Sequence, residues 1–140
     1  MPFKDVSTTS NYPKIEGSIT VEVLDIEDAD PGQFGDRIKW VFKVWDDYGE
    51  AVTWQDGEEY EWWQYTSTSL SPKSIAGKWA QALLGRELAD GEQGADIAKA
   101  VIGKRANAFS EVSESGYSSI KAMSPSRDTA EATEETAELF

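Results

Sequence analysis

"EYEWWQYTSTS", residues 59–69, is the stretch on which the reading of this chain turns. It is aromatic and threonine-rich, with no Pro or Gly inside it, which is the composition of a β-strand. Successive side chains of a strand point to opposite faces. Trp62 and Trp63 therefore cannot fill the same core. If Trp62 is buried with Tyr60, then Trp63 and Tyr65 lie on the other face. "RIKWVFKVW" (37–45) has the same two-faced character. Ile38, Trp40, Phe42 and Val44 share one side, and Arg37, Lys39, Val41, Lys43 and Trp45 share the other. One set of aromatics suits a core. The other set needs a second explanation.

Working outward, "KIEGSITVEVLDI" (14–26) alternates Ile19, Val21 and Val23 with Thr20 and Glu22, the pattern of a half-buried strand. "EDADPGQFGD" (27–36) reads as an acidic loop with Pro-Gly turn chemistry. "DDYGE" (46–50) is a turn, "AVTWQ" (51–55) a short strand or strand extension, and Asp56-Gly57 a hairpin signal. "SPKSIAGKWAQALLGRE" (71–87) switches to helical period. Ser71 is an apt N-cap, with Pro72 at the first helical position and Gly85 near the end. Ile75, Trp79, Ala82 and Leu83 form its apolar stripe. "LADGEQGAD" (88–96) is a loop, and "DIAKAVI" (96–102) suits one more helical turn. "GKRANAFSEVS" (103–113) alternates Ala106, Ala108 and Ser110 with Arg105, Asn107, Phe109 and Glu111. "YSSIKAM" (117–123) is the last strand.

The fold class that follows is mainly β: a five-stranded OB-like barrel with one helix between strands 3 and 4. Ile75, Trp79 and Leu83 would plug one end of it. Other small α+β sheets share this element order. Residues 1–13 read as a flexible arm, 14–123 as the OB-like domain, and 124–140 as a disordered acidic C-terminal tail.

Composition narrows the function. The chain has 140 residues, enough for one domain with one core. It has no Cys and no His, which excludes disulfides, Cys/His zinc sites and His-based triads. Six Trp, five Tyr and five Phe compensate for a modest hydrophobic content. No apolar run is long enough to span a membrane, and the start has no apolar signal segment, so a cytoplasmic location is expected. The net charge of −13 argues, at face value, against nucleic acid. Without residues 128–140 the chain still has 13 basic and 21 acidic residues, a net of −8. "DIEDAD" (25–30) lacks the spacing of a calcium loop and reads as a solvated loop. No catalytic residues, metal ligands or cofactors are expected.

The local charge pattern differs from the sum. Lys39, Lys43 and Trp45 share a face with Trp63 and Tyr65 of the next strand. An OB-type face binds single-stranded nucleic acid with cations for phosphates and aromatic rings for bases. Lys104, Arg105 and Lys121 either extend the set of phosphate contacts or are ordinary surface charges at a strand start. The same aromatic face also suits a protein interface, a sugar, or curvature that buries part of both faces. The tail carries Glu134, Glu135 and Glu138 and ends in Leu139-Phe140. It suits either a solubilising tail or docking on a basic groove, of another protein or of its own domain.

Together the OB-type order, the aromatics with Lys on strands 2 and 3, and the acidic tail ending in Phe resemble a bacteriophage-type single-stranded DNA-binding protein. "TSLSPKSIAGKWAQALLGREL" and "VIGKRANAFSEV" are similar to small phage replication-region proteins. The resemblance implies sequence-independent coating of single-stranded DNA in replication, recombination or repair. It implies Trp45, Trp63 and Tyr65 as stacking residues and Lys39, Lys43, Lys104, Arg105 and Lys121 as phosphate contacts. It implies recruitment of replication proteins by Glu134, Glu135, Glu138, Leu139 and Phe140. A homodimer is compatible with it. Glu59 and Glu61, beside the aromatic strand, depart from the pattern and repel phosphate. The strongest rival is a non-enzymatic protein–protein module, for phage assembly or host inhibition, whose acidity mimics DNA. A carbohydrate-binding module comes next, and an acidic glycosidase or nuclease last.

Overall fold

The computed structural model describes residues 13–32 and 35–126. The five strands are β1 (Gly17–Gly32), β2 (Gly35–Trp45), β3 (Trp62–Ser67), β4 (Arg105–Val112) and β5 (Ser118–Pro125). Two helices, α1 (Ile75–Leu84) and α2 (Gly94–Val101), lie between β3 and β4, where one helix was expected. The second is the short "GADIAKAV" segment, held by Ile97 and Val101, both buried. The strands form one antiparallel sheet of order β3-β2-β1-β4-β5.

The sheet is open, which corrects the expected barrel. Among the described residues no ladder joins β3 to β5, the two edges that closure would unite. Element order is a local property of the sequence. Closure depends on strand tilt and stagger, which the order does not encode.

The core sits between one face of the sheet and the helices. Trp40, Phe42 and Val44 of β2, Val21 and Val23 of β1, and Trp62 of β3 are buried there with Trp79 and Leu83 of α1. Trp79 stands edge-on to both Trp40 (5.3 Å) and Phe42 (5.8 Å), an arrangement favoured by the ring quadrupoles. The indole N–H of Trp40 donates to Thr66 Oγ1 at 2.8 Å, so the largest core side chain leaves no polar atom unsatisfied. Ile75 is the exception to the expected helical stripe. It is exposed, and Ala76, Ala80 and Ala82 pack inward with Trp79 and Leu83 instead.

Three local readings are corrected. The helix starts after Ser74, not Ser71. Ser74 Oγ accepts the Gly77 N–H at 3.0 Å, while Ser71-Pro72-Lys73 form a turn closed by Ser74 N–H on Ser71 O. The "acidic loop" at 27–32 is strand, because β1 continues with Glu27 opposite Lys39 and Ala29 opposite Arg37. Cross-strand opposite charges stabilise a segment whose composition alone disfavours a strand. The segment 51–59 makes only isolated bridges, Trp45 to Ala51 and Thr53 to Glu59, around the Asp56-Gly57 turn.

Gly77 and Gly94 give a matched pair of stability predictions. A Cβ on Gly77 would lie 1.9 Å from the Ser71 carbonyl oxygen, a backbone atom. Gly94, at the start of α2, meets only Leu70 Cδ1 at 3.9 Å. Urea unfolding should show Gly77→Ala destabilised by roughly 1–3 kcal/mol. Gly94→Ala should be stabilised by about 0.4–1 kcal/mol through the loss of unfolded-state freedom.

Candidate nucleic-acid interface

The outward face of the sheet is built by register. Pairing of β2 with β3 sets Trp63 opposite Val41, Tyr65 opposite Lys39 and Ser67 opposite Arg37. Pairing of β1 with β2 sets Glu22 opposite Lys43 and Thr20 opposite Trp45. Pairing of β1 with β4 adds Arg105 opposite Glu22, Asn107 opposite Thr20 and Phe109 opposite Ser18. A bulge at Leu24 inserts one residue into β1. It keeps Asp25 and Glu27 on the outward side, beside Val41 and Lys39.

Rings and cations alternate across this face. Lys39 Nζ lies 4.0 Å from the centroid of Trp63, and the Arg37 guanidinium lies 4.9 Å from that of Tyr65. Trp45 is flanked by Lys43 at 5.1 Å and Arg105 at 4.4 Å. These are cation–π distances. Trp63 and Tyr65 remain 51% and 46% exposed, so each keeps ring surface free for a flat ligand, while Trp45 is half-buried. Val41 is only 5% exposed although it points outward, because the long side chains around it close over the sheet.

Three of these cations already hold a carboxylate. Lys39 pairs with Glu27 at 2.7 Å, Lys43 with Glu59 at 2.8 Å, and Arg105 with Glu22 at 2.9 Å. The hydrogen bond that the Lys39 ammonium donates to Glu27 holds its pKa above the ordinary lysine value. The negative charges of Glu27 and Glu61 act the same way, and desolvation opposes them. Lys39 is therefore charged throughout the physiological range. Each pair has one exposed member and is screened by solvent, so its contribution to stability is small. Their larger effect is to fix each cation tip beside its ring.

Beyond β3 the open edge of the sheet forms a cleft of about 780 Å³. Trp54, Tyr60, Trp63, Tyr65 and Tyr117 line it, with Glu59 and Glu61. Trp54 stands perpendicular to Tyr60 at 4.9 Å and roofs one end. Gln64 spans the seam. Its Nε2 donates to Ser118 O at 3.5 Å, and its Oε1 accepts the Ile120 N–H at 3.4 Å. β3 and β5 run parallel, and this side-chain amide takes the place a backbone amide would have in a parallel ladder. Both are longer than an ordinary N–H···O bond, and the shorter bond of Nε2 is to Trp63 O at 2.9 Å.

Lys39, Lys43, Trp45, Trp63, Tyr65 and Arg105 thus come together on one face. Lys104 lies in the turn that leads into β4, and Lys121 lies at the bulge of β5. Both are exposed, and neither makes an ion pair among the described residues. The tail residues Glu134, Glu135, Glu138, Leu139 and Phe140 lie outside the described residues. Sequence reasoning missed four contributors to this surface as site residues: Arg37, Phe109, Tyr117 and the carboxylate of Glu27. Alternation in 37–45 and 105–111 carried the signal for the first two. The third needed the seam, and the last needed the β1 register.

Among the described residues no group of three or more acidic side chains is placed to hold a metal ion. No helix there is long and apolar enough to cross a membrane. Comparison of the chain with protein-family models and with curated proteins finds no match.

Gln64 gives a local prediction. Gln64→Ala should speed hydrogen exchange at the Ile120 amide by tenfold or more, read by NMR, while the Phe42 amide inside the sheet stays protected. Equal exchange at Ile120 in both proteins would mean that the side-chain bridge does not hold the seam in solution.

Proposed function

We propose that this protein binds single-stranded DNA without base-sequence readout, through the outward face of β2 and β3, in a DNA replication, recombination or repair setting. The observation that carries the reading is the alternation of exposed rings and cations on one open face: Tyr65 with Arg37, Trp63 with Lys39, Trp45 with Lys43 and Arg105. The strand order, with β1 paired to both β2 and β4, is also that of an OB-fold left open between β3 and β5. Bases stack on Trp63 and Tyr65, and phosphates exchange with Glu27, Glu59 and Glu22 for Lys39, Lys43 and Arg105. The role is binding, without catalysis. The acidic segment with Glu134, Glu135, Glu138, Leu139 and Phe140 is the proposed contact for replication proteins.

The exchange step has a consequence. A phosphate must displace a tethered carboxylate before it reaches a cation, so affinity is limited by the protein's own acids. The same pairing favours one second reading, a protein partner that uses the aromatic face and leaves the ion pairs intact.

Titration of tryptophan fluorescence with oligo-dT of about 20–30 nucleotides separates the two. Under the first reading the single strand quenches, duplex does not, and affinity falls with salt at a log–log slope of up to roughly −3 for four phosphate contacts. Trp63→Ala should weaken binding by about 1–3 kcal/mol without unfolding the domain. Glu27→Gln and Glu59→Gln should each tighten it. No quenching at low salt would discard this reading and favour the protein partner.

A further inference from the structure

A second concavity lies on the same face, across β1, β4 and β5. It is a trough of about 490 Å³. Ser18, Thr20, Asn107 and Ser124 supply its polar floor, Phe109 one side, and the turn with Asp46 and Asp47 the rim. Phe109 is 45% exposed, a large ring on a sheet face with only Ser18 and Ala122 opposite it.

The register connects this trough to the cation row. Lys43, Glu22 and Arg105 form one cross-strand row. Trp45, Thr20 and Asn107 form the next, and Ser18 and Phe109 the one after. Adjacent rows on one face are two residues apart, about 6.6–6.8 Å. A phosphate held at Lys43 and Arg105 would leave its own base toward the Trp45–Thr20–Asn107 row, at the mouth of the trough, with Phe109 one row further along the same strand. The trough itself is closed to phosphate. Its lining contains no cation, and its charged residues are Asp46 and Asp47. Asp46 Oδ1 is engaged by the Tyr48 and Glu50 N–H groups, which fixes the turn at the rim. Carboxylates in this place accept hydrogen bonds from amino groups and repel carbonyl oxygens. Cytosine and adenine carry an exocyclic amine, and thymine presents O4 instead.

We infer that this trough is a nucleobase subsite that stacks one base on Phe109 and favours bases bearing an exocyclic amine. The inference rests on the single-strand reading above and adds a base preference to it. It separates two jobs on one sheet. Trp63 and Tyr65 stack any base, and the β1–β4–β5 trough discriminates.

The test is fluorescence anisotropy of labelled (dC) and (dT) oligonucleotides of about 12 nucleotides, within the ~4–16 covered by one OB-type domain. Measurements use the full chain at one low salt concentration. The parent protein should bind (dC) about 3- to 10-fold tighter than (dT). Phe109→Ala should weaken (dC) by roughly fivefold or more and remove the preference. Asp46→Asn with Asp47→Asn keeps an acceptor for the turn but adds amide donors, and should abolish or invert the preference while (dT) binding holds or improves. A thermal melt of each variant confirms folding. Equal affinity of the parent for the two strands, or a preference unchanged in Phe109→Ala, overturns the subsite and leaves the face-binding reading intact. Failure of the parent to bind either strand removes the single-strand reading itself, and the subsite with it.

Discussion

The buried indole of Trp40 is the constraint on which this surface depends. A Trp in the core must place its N–H against an acceptor or lose about 1–3 kcal/mol. Thr66 supplies that acceptor, itself buried and in turn donating to Ser67 O. The bond locks β2 against β3 with Ile38 opposite Thr66 and Trp40 opposite Gln64. A slip of one residue would turn Trp62 out and Trp63 in, because the side-chain period of a strand is two. With the register fixed, every outward pairing follows. Trp63 stands beside Lys39, Tyr65 beside Arg37, and Gln64 is left at the sheet edge, where it reaches β5. One internal hydrogen bond thus positions groups that never touch the core.

The bulge at Leu24 has a comparable effect on charge. Opposite Val44 and Phe42, β1 presents Val21 and Val23 inward. The extra residue then resets the phase, so that Ile26 still faces inward opposite Trp40 while Glu27 faces Lys39. Without it, the hydrophobic and acidic sets of residues 25–29 would exchange faces. The bulge therefore serves the core first. The ion pair between Glu27 and Lys39 is a consequence of it, and that pair decides how accessible Lys39 is to any other anion.

Much of this was legible in the sequence, for reasons that differ by residue. Period-two alternation separated Trp40, Phe42 and Val44 from Lys39, Lys43 and Trp45, and separated Trp62 from Trp63. Those assignments hold because β2 is paired on both sides and cannot rotate. What was not legible depended on partners distant in sequence. Glu27 looks like a loop residue until β2 is placed beside it. Ser71 followed by Pro72 reads as the N-cap on composition, but it is Ser74 Oγ that accepts the Gly77 N–H. Ile75 fits the apolar period but sits at the first turn of α1, beyond the edge of the core. The open seam was illegible because Gln64 is an ordinary strand residue until β5 lies alongside.

Under the single-strand reading proposed above, the two kinds of contact on this face would discriminate between nucleic-acid forms. Stacking on Trp63 or Tyr65 requires a base whose face is free, and duplex DNA buries its base faces in its own stack. A duplex approaching this surface can gain only from the cations, three of which are already paired with carboxylates. It also brings a higher phosphate density toward Glu27, Glu59 and Glu61. A flexible single strand can set its rings on the aromatics first and thread its phosphates between the acids afterwards. On that proposed surface the negative charge that weakens all binding would weaken duplex binding most, so a basic face without the carboxylates would bind more tightly and select less.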